Sequence, residues 1–114
     1  MAQSKVRTYI GFCIRARKIS LGATAIGTLK GGVHLLIMDA NAAKNSQRFA
    51  LKFKNRFACP LLICKEDLSD VVNKPECKLA AISDKSLADA ILNSGDINYE
   101  LYTGGGDLEY GEKV

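Results

Sequence analysis

Three short apolar runs, separated by segments of helical periodicity, constrain the fold of this chain most strongly. The runs are residues 33–38, Leu61–Cys64 and Leu79–Ile82, and His34 is the one polar residue within them. Consecutive rather than alternate residues are apolar in each run, which is typical of a strand buried on both faces of a sheet. A sheet of such strands requires helices on both sides. The sequence therefore predicts an α/β fold, a three-layer α/β/α sandwich.

The segments between the runs carry the complementary helical pattern. Apolar residues recur there every three or four positions, and this spacing predicts helices over residues 5–16, 23–30, 42–57 and 66–72, and one that begins after the capping residue Asp84. Residues 18–21 are a short extended candidate, and residues 39–41 are predicted to form a turn with an N-cap. Phe49, Phe53 and Phe57, spaced by four, are predicted core residues.

The length of 114 residues and the hydrophobic share of 47% suit one globular domain. Beyond residue 93 the composition shifts to Gly, Asp, Glu and Tyr, so we assign residues 1–94 to the domain and 95–114 to an acidic, glycine-rich, largely flexible tail. Within that tail, residues 98–103 are a candidate edge strand or a segment that docks on a partner. The apolar runs are too short to span a membrane, and the first residues lack a secretory h-region, which predicts a cytoplasmic protein without a membrane partner.

Basic residues are concentrated in the first half of the chain. Residues 5–56 contain eleven Lys and Arg against one acid, Asp39, whereas residues 95–114 carry a net charge of −4. Such a concentration is expected of a protein that binds a phosphate backbone. A basic surface that is simply solvated is the alternative.

Catalytic and metal chemistry find little support in the sequence. The single histidine, His34, opens a buried run, where a structural role is typical, and no Ser or Cys is suitably spaced to argue a triad with it. The cysteines have apolar neighbours and lack the spacing of zinc knuckles, so all four, Cys13, Cys59, Cys64 and Cys77, are predicted to be buried, reduced thiols. The glycines at positions 22, 27, 31 and 32 suggest a phosphate-binding loop, but they lack the Gly-Lys-Ser/Thr ending of a P-loop. Nucleotide binding is therefore a weak alternative. We therefore expect no enzymatic activity, cofactor, metal or small-molecule substrate.

A first group of basic residues precedes a predicted helix start. Arg15, Arg17 and Lys18 end the first predicted helix and lead to Gly22, where the second begins. A helix N-terminus presents free N–H groups and a positive dipole end to a phosphate. We therefore expect these cations to lie beside that end and to bind phosphate with it.

A second group of basic residues repeats every four positions along one predicted helix. It comprises Lys44, Arg48, Lys52 and Arg56. This spacing places the four side chains in one row. The row would either follow a nucleic-acid backbone or solvate the outer face of the helix.

Four segments, in the same order, resemble those of a known family. Residues 10–22 (IGFCIRARKISLG) resemble the opening LGLAxRARKxxSG of bacterial YlxQ-like proteins, and residues 34–45 (HLLIMDANAAKN) are similar to a strand followed by DAS-x-N. Residues 59–63 (CPLLI) and 80–88 (AAISDKSLA) resemble the VPV strand and the VAVTDxxFA ending of the same proteins. On these segments the chain resembles the kink-turn-binding ribosomal protein family (the L seven Ae and L thirty e group) over about residues 6–92.

The resemblance implies a four-stranded mixed sheet, with residues 18–21 as the extra strand, and a non-catalytic protein that binds bulged or kinked RNA. Ribosomal RNA and a kink-turn are the candidate partners. The RNA surface that it implies is the start of the helix after Gly22 together with the loop before the last strand. This surface and residues of the two basic groups together give the predicted RNA-binding residues. They are Arg15, Arg17, Lys18, Gly22, Ala23, Thr24, Thr28, Lys30, Lys44, Asn73, Lys74 and Pro75.

The chain departs from the family where kink-turn specificity is encoded. Many members carry Gly-x-Asn-Glu-x-x-Lys, whereas this chain has Ala25 and Thr28 at the Glu and Lys positions. Lys30 would then supply a displaced cation. Phosphate attraction survives such a change because it dominates affinity. A protein-interaction domain that has lost kink-turn specificity is the alternative function.

Overall fold

A five-stranded mixed sheet forms the centre of the computed structural model, which describes residues 5–103. The strands are β1 (Ile19–Leu21), β2 (Leu35–Asp39), β3 (Leu61–Cys64), β4 (Leu79–Ile82) and β5 (Tyr99–Leu101), in the order β1-β4-β2-β3-β5. β2 and β3 are parallel, and the other neighbouring pairs are antiparallel. The helices are α1 (Lys5–Arg15), α2 (Ala23–Gly27), α3 (Lys44–Phe57), α4 (Leu68–Val72) and α5 (Lys85–Leu92).

Two hydrophobic clusters pack against the sheet, and alternate residues of β2 divide between them. Leu35 and Ile37 belong to the cluster that α1, α4 and α5 complete, whereas Leu36 and Met38 belong to the cluster that α2 and α3 complete. Successive side chains of a strand lie on opposite faces of its sheet. The continuous apolar runs are therefore explained as predicted, because β2, β3 and β4 are buried along their full length.

The predicted count of four strands is corrected to five by β5. This strand pairs antiparallel with β3 through Leu62↔Leu101 and Cys64↔Tyr99, at the edge of the sheet. Tyr99 and Tyr102 are 8% and 9% exposed, so their rings join the core. The sheet thus extends beyond residue 94, into the segment predicted as a flexible tail, and the edge-strand alternative for residues 98–103 is confirmed. The rest of that predicted tail, residues 104–114, lies outside the described residues.

Some helices are shorter than the sequence predicts. α2 ends at Gly27 instead of residue 30, and α3 begins two residues late, with Ala43 as an N-cap that has no side-chain hydrogen bond. The predicted cap of α5 is confirmed, since the carboxylate of Asp84 accepts a hydrogen bond from the N–H of Leu87 at 2.8 Å. Phe53 is buried as predicted, whereas its neighbours on the helix, Phe49 and Phe57, are half-buried at the margin of the core.

The four cysteines are free and buried, as predicted from their apolar neighbours. Burial raises the pKa of the thiols of Cys13, Cys59 and Cys64 to about 11, and it raises the pKa of Cys77 as well. These thiols act as small apolar side chains at neutral pH. Within residues 5–103, no helix is long and apolar enough to cross a membrane.

Candidate nucleic-acid interface

The strand directions bring several loops to one edge of the sheet. β1 and β2 are both antiparallel to β4, and β3 is parallel to β2, so β1, β2 and β3 all end on the same side. β4 begins on that side. We call this side the carboxyl edge (residues 22–24, 39–44, 65–67 and 73–78) and the opposite side the amino edge (residues 15–18, 28–34, 58–60 and 83–85).

The twelve predicted RNA-binding residues divide between the two edges. Seven lie at the carboxyl edge: Gly22, Ala23, Thr24, Lys44, Asn73, Lys74 and Pro75. Five lie at the amino edge: Arg15, Arg17, Lys18, Thr28 and Lys30. The structure therefore does not bring all of the predicted residues into one site.

The expectation that Arg15, Arg17 and Lys18 flank the start of α2 is corrected by the position of β1. That strand lies between Lys18 and Gly22, so about 13 Å of extended chain separates the two residues. In addition, α1 packs on one face of the sheet and α2 on the other. Residues that are near in the sequence are thus far apart in the fold.

A hydrogen bond joins the start of α2 to the chain that follows the 73–76 loop. The N–H of Gly22 donates to the carbonyl oxygen of Leu79 at 2.8 Å, which extends the pairing Leu21↔Ala80 by one residue. Both segments also act on one buried thiol: the charge of Lys74 and the backbone of Gly22 each lower the pKa of Cys77, against the larger upward effect of burial. The two segments that the family resemblance assigns to RNA binding therefore lie side by side.

Gly22 gives α2 an uncapped start. Its backbone has φ 90° and ψ 153°, a conformation that L side chains rarely adopt, and it is the N-cap of the helix. Glycine has no side chain to accept a hydrogen bond from the first-turn N–H groups. Thr24, in that first turn, is exposed. The start of α2 is thus open to an acceptor from outside the chain.

The loop of residues 73–76 is held by its backbone and exposes its side chains. Asn73 ends α4 in the left-handed conformation, with its N–H donating to the carbonyl oxygens of Asp70 and Ser69. The N–H of Lys74 also donates to Ser69, at 2.9 Å. Asn73, Lys74 and Pro75 are all exposed, as is Glu76 at φ 58°. A backbone that is already held in place reduces the entropy that a loop loses on binding.

Two residues of the carboxyl edge were missed by the sequence analysis. Asp39, at the end of β2, is 1% exposed, and its carboxylate lies 3.8 Å from Nζ of Lys78. Lys78 is adjacent to Leu79, the partner of Gly22, and its side chain is 38% exposed. The signal that could have revealed the pair is an acid at the end of a fully apolar strand, since a carboxylate in that position needs donors.

The amino-edge residues serve other contacts. The guanidinium of Arg15 lies 6.0 Å from the ring centre of the exposed Phe12, and the carbonyl oxygen of Lys18 accepts a hydrogen bond from Ser83. The hydroxyl of Thr28 donates to Ala25 within α2. Lys30 is exposed in the segment between α2 and β2. Of these groups, Lys18 lies near the start of α5 through its hydrogen bond with Ser83.

No protein-family model and no curated protein matches the sequence. Solved structures do match the fold, among them one described as a protein with unknown function from Bacillus halodurans. The similarity covers 79% of this chain and 95% of that chain, with a TM-score of 0.65 and 18% sequence identity. At this identity the match supports the mixed α/β fold alone. Within the described residues, no three His, Cys, Asp or Glu side chains are grouped so as to hold a metal ion.

Proposed function

We propose that the protein is a non-catalytic RNA-binding protein that recognises bulged or kinked RNA at the carboxyl edge. The observation that carries the proposal is the hydrogen bond between Gly22 and Leu79, which joins the uncapped start of α2 to the segment containing the exposed 73–76 loop. These are the two segments that the resemblance to kink-turn-binding ribosomal proteins assigns to RNA. Ribosomal RNA is one candidate for the RNA that is bound.

The proposal takes the fold to be the three-layer α/β/α sandwich of that family. The cluster of α1, α4 and α5 and the cluster of α2 and α3 would be its two outer contacts with the sheet. The additional strand β5 lengthens the sheet beside β3, at the end away from β1 and Gly22. It therefore lies away from the contact between Gly22 and Leu79.

Phosphates would be held by backbone N–H groups and lysines together. The first turn of α2 supplies the donors, and Lys44, Lys74 and Lys78 supply positive charge from the neighbouring loops of the same edge. Side chains read irregular RNA more easily than an A-form duplex, since a bulge or kink exposes bases and closely spaced phosphates. The fixed 73–76 loop provides the second wall of such a site.

Specificity for one RNA over another would come from the shape of the RNA backbone more than from contacts with its bases. Ala25 and Thr28 stand where many family members have Glu and Lys, and the hydroxyl of Thr28 already donates to the backbone of α2. Neither side chain supplies the charged contact of the family pattern. Binding through phosphates and the distorted backbone survives this change, because phosphate contacts provide most of the affinity.

The substitution Thr24→Asp tests the site by placing a negative charge in the first turn of α2. An acid there is favourable for the helix, so the fold is preserved. Phosphate binding, in contrast, should weaken about tenfold through repulsion. The matched control is Ser86→Asp, at the same position of α5 but at the amino edge. The measurement is fluorescence anisotropy with a kink-turn RNA and with a duplex of equal length.

Three results are distinguishable. Weaker binding of the kinked RNA by Thr24→Asp but not by Ser86→Asp supports the proposal. Equal losses in both variants would mean that general charge, not the carboxyl edge, governs binding. An unaltered protein that binds neither RNA, or binds both alike, contradicts the proposed function and favours a protein-interaction domain.

A further inference from the structure

α3 has a charge pattern that the carboxyl edge does not use. Its fourteen residues include five Lys and Arg and no acid. Exposed helices normally mix charges, because a Glu or Asp four residues from a Lys or Arg stabilises the helix. A structural role alone does not explain why all the charges on α3 have one sign.

Three of these cations form an exposed row along the helix. Lys44, Arg48 and Lys52 are exposed and follow one another at intervals of four residues, about 6 Å along the axis. Arg56 continues the spacing but is engaged elsewhere. Its guanidinium donates to the carbonyl oxygens of Gly27 and Leu29, at 3.2 Å and 2.6 Å, and so fastens the end of α2 to α3. We call Lys44, Arg48 and Lys52 the α3 row.

The α3 row lies in a segment of the chain that has no exposed acid. Residues 22–60 contain six Lys and Arg and one acid, Asp39, which is 1% exposed. The remaining acids of the described chain follow β3, on α4, α5, β5 and their loops: Glu66, Asp67, Asp70, Glu76, Asp84, Asp89, Asp96 and Glu100. One of these acids, Glu100, pairs with Ile63 and so faces the same side of the sheet as α3, where its carboxylate lies 3.4 Å from Nζ of Lys65. The helices α2 and α3 themselves carry only positive charge.

We infer that the α3 row is a second RNA contact, which binds the phosphate backbone of a duplex arm leading away from the carboxyl edge. This inference rests on the proposed function. Lys44 belongs to both surfaces, because it begins α3 at the carboxyl edge, so the two are continuous. A-form duplexes are recognised mainly through phosphates and shape, for which a row of exposed cations is sufficient.

The composition of α3 favours RNA over a membrane or a protein partner. A helix that binds a lipid surface presents large apolar side chains beside its cations. The large apolar side chains that are exposed in the described chain, Phe12, Ile14, Ile97 and Leu101, all lie outside α3. Protein interfaces likewise depend on aromatic anchors, whereas the aromatic side chains of α3 pack in the core of this protein (Phe53) or at its margin (Phe49 and Phe57).

Two RNAs and two double variants test the inference. The RNAs contain the same kink with either short arms or one long duplex arm. The test variant is Arg48→Gln with Lys52→Gln, and the control is Lys5→Gln with Lys85→Gln, which removes the same charge from exposed positions on α1 and α5. Circular dichroism verifies that both variants are folded. We expect the long arm to increase the affinity of the unaltered protein and of the control.

The test variant should bind the long-arm RNA about tenfold more weakly at 0.1 M salt, with a salt dependence of log Kd that is shallower by about two. Its affinity for the short-arm RNA should stay within about twofold. Long-arm binding equal to that of the unaltered protein overturns the inference but leaves the proposed function intact, as do equal losses for both RNAs or in both variants. If the unaltered protein binds neither RNA, the proposed function is wrong, and the inference about the α3 row is wrong with it.

Discussion

The carboxylate of Asp39 accepts a hydrogen bond from the backbone N–H of Leu68 at 2.9 Å, across the end of the sheet. Its other oxygen accepts a hydrogen bond from the N–H of Asn41 at 2.7 Å. Because Lys78 also lies beside this carboxylate, one buried side chain connects the end of β2, the start of α4 and the chain entering β4. The carboxyl edge therefore has an internal support around Asp39, and Lys78 belongs both to this support and to the proposed phosphate-binding groups.

Replacing Asp39 with Asn should destabilise the protein by about 2–4 kcal/mol. The new side chain has one acceptor oxygen instead of two, so its NH2 group must face one of the backbone N–H donors, which is left buried without a partner. Lys78→Gln should cost under about 1 kcal/mol, because the lysine is partly exposed and distant. Urea unfolding measures both. Equal stability of the two variants would show that the amide contacts of Asp39 contribute little.

The strands that are buried on both faces and the helices that bury one apolar face were predictable from the sequence. β3 and β4 have the predicted bounds, and α1 and α5 follow from their apolar spacing and, in α5, from the cap Asp84. β5 could not be assigned in the same way. Of its three residues only Tyr99 is buried, and its pairing with β3 joins distant parts of the chain. Such a strand has no local pattern that distinguishes it from a loop.

The candidate site was predictable in its parts but not in its arrangement. Gly22 and the 73–76 loop were identified, and their contact results from β1 pairing with β4, which the apolar runs alone do not specify. The separation of Lys18 from Gly22 depends on the chain between them being extended. Had those residues continued a helix, the two would lie one turn apart. The role of Asp39 depends on α4 beginning beside it, which only the tertiary structure shows.

The substitution Gly22→Ala should destabilise the protein by about 1–3 kcal/mol. A Cβ at this position meets open space, so the cost would arise from the backbone conformation at φ 90° and not from a clash. Gly31→Ala is the matched control, because it also faces open space but has no positive φ, and it should change stability by less than about 1 kcal/mol. Thermal unfolding compares the two. A neutral effect at Gly22 would contradict the strained start of α2.

The buried thiols should make the protein less stable as the solution becomes alkaline. Cys13, Cys59 and Cys64 have pKa values raised to about 11, whereas unfolding returns them to about 8.5. The unfolded state therefore releases protons first, so this stabilisation is complete below about pH 8.5 and is lost as the pH rises toward 11. Urea midpoints measured from pH 7 to pH 11 test the direction.

Thiol labelling checks the same burial independently of pH stability. At pH 8 an aromatic disulfide reagent should modify none of the four cysteines within minutes, and all four should react once the protein is unfolded in guanidinium. Rapid modification of any one of them in the native protein would place that side chain at the surface.

Truncation distinguishes β5 from the residues that follow it. A fragment ending at residue 103 keeps Tyr99 and Tyr102 in the core and retains the pairing with β3, so its stability should stay within about 0.5 kcal/mol of the full chain. A fragment ending at residue 94 loses both rings and uncovers the edge of β3. Since losing one large aromatic from a core costs about 3–5 kcal/mol, that fragment should be marginal or unfolded. Circular dichroism melts compare the fragments, and equal melting temperatures would show that β5 is dispensable.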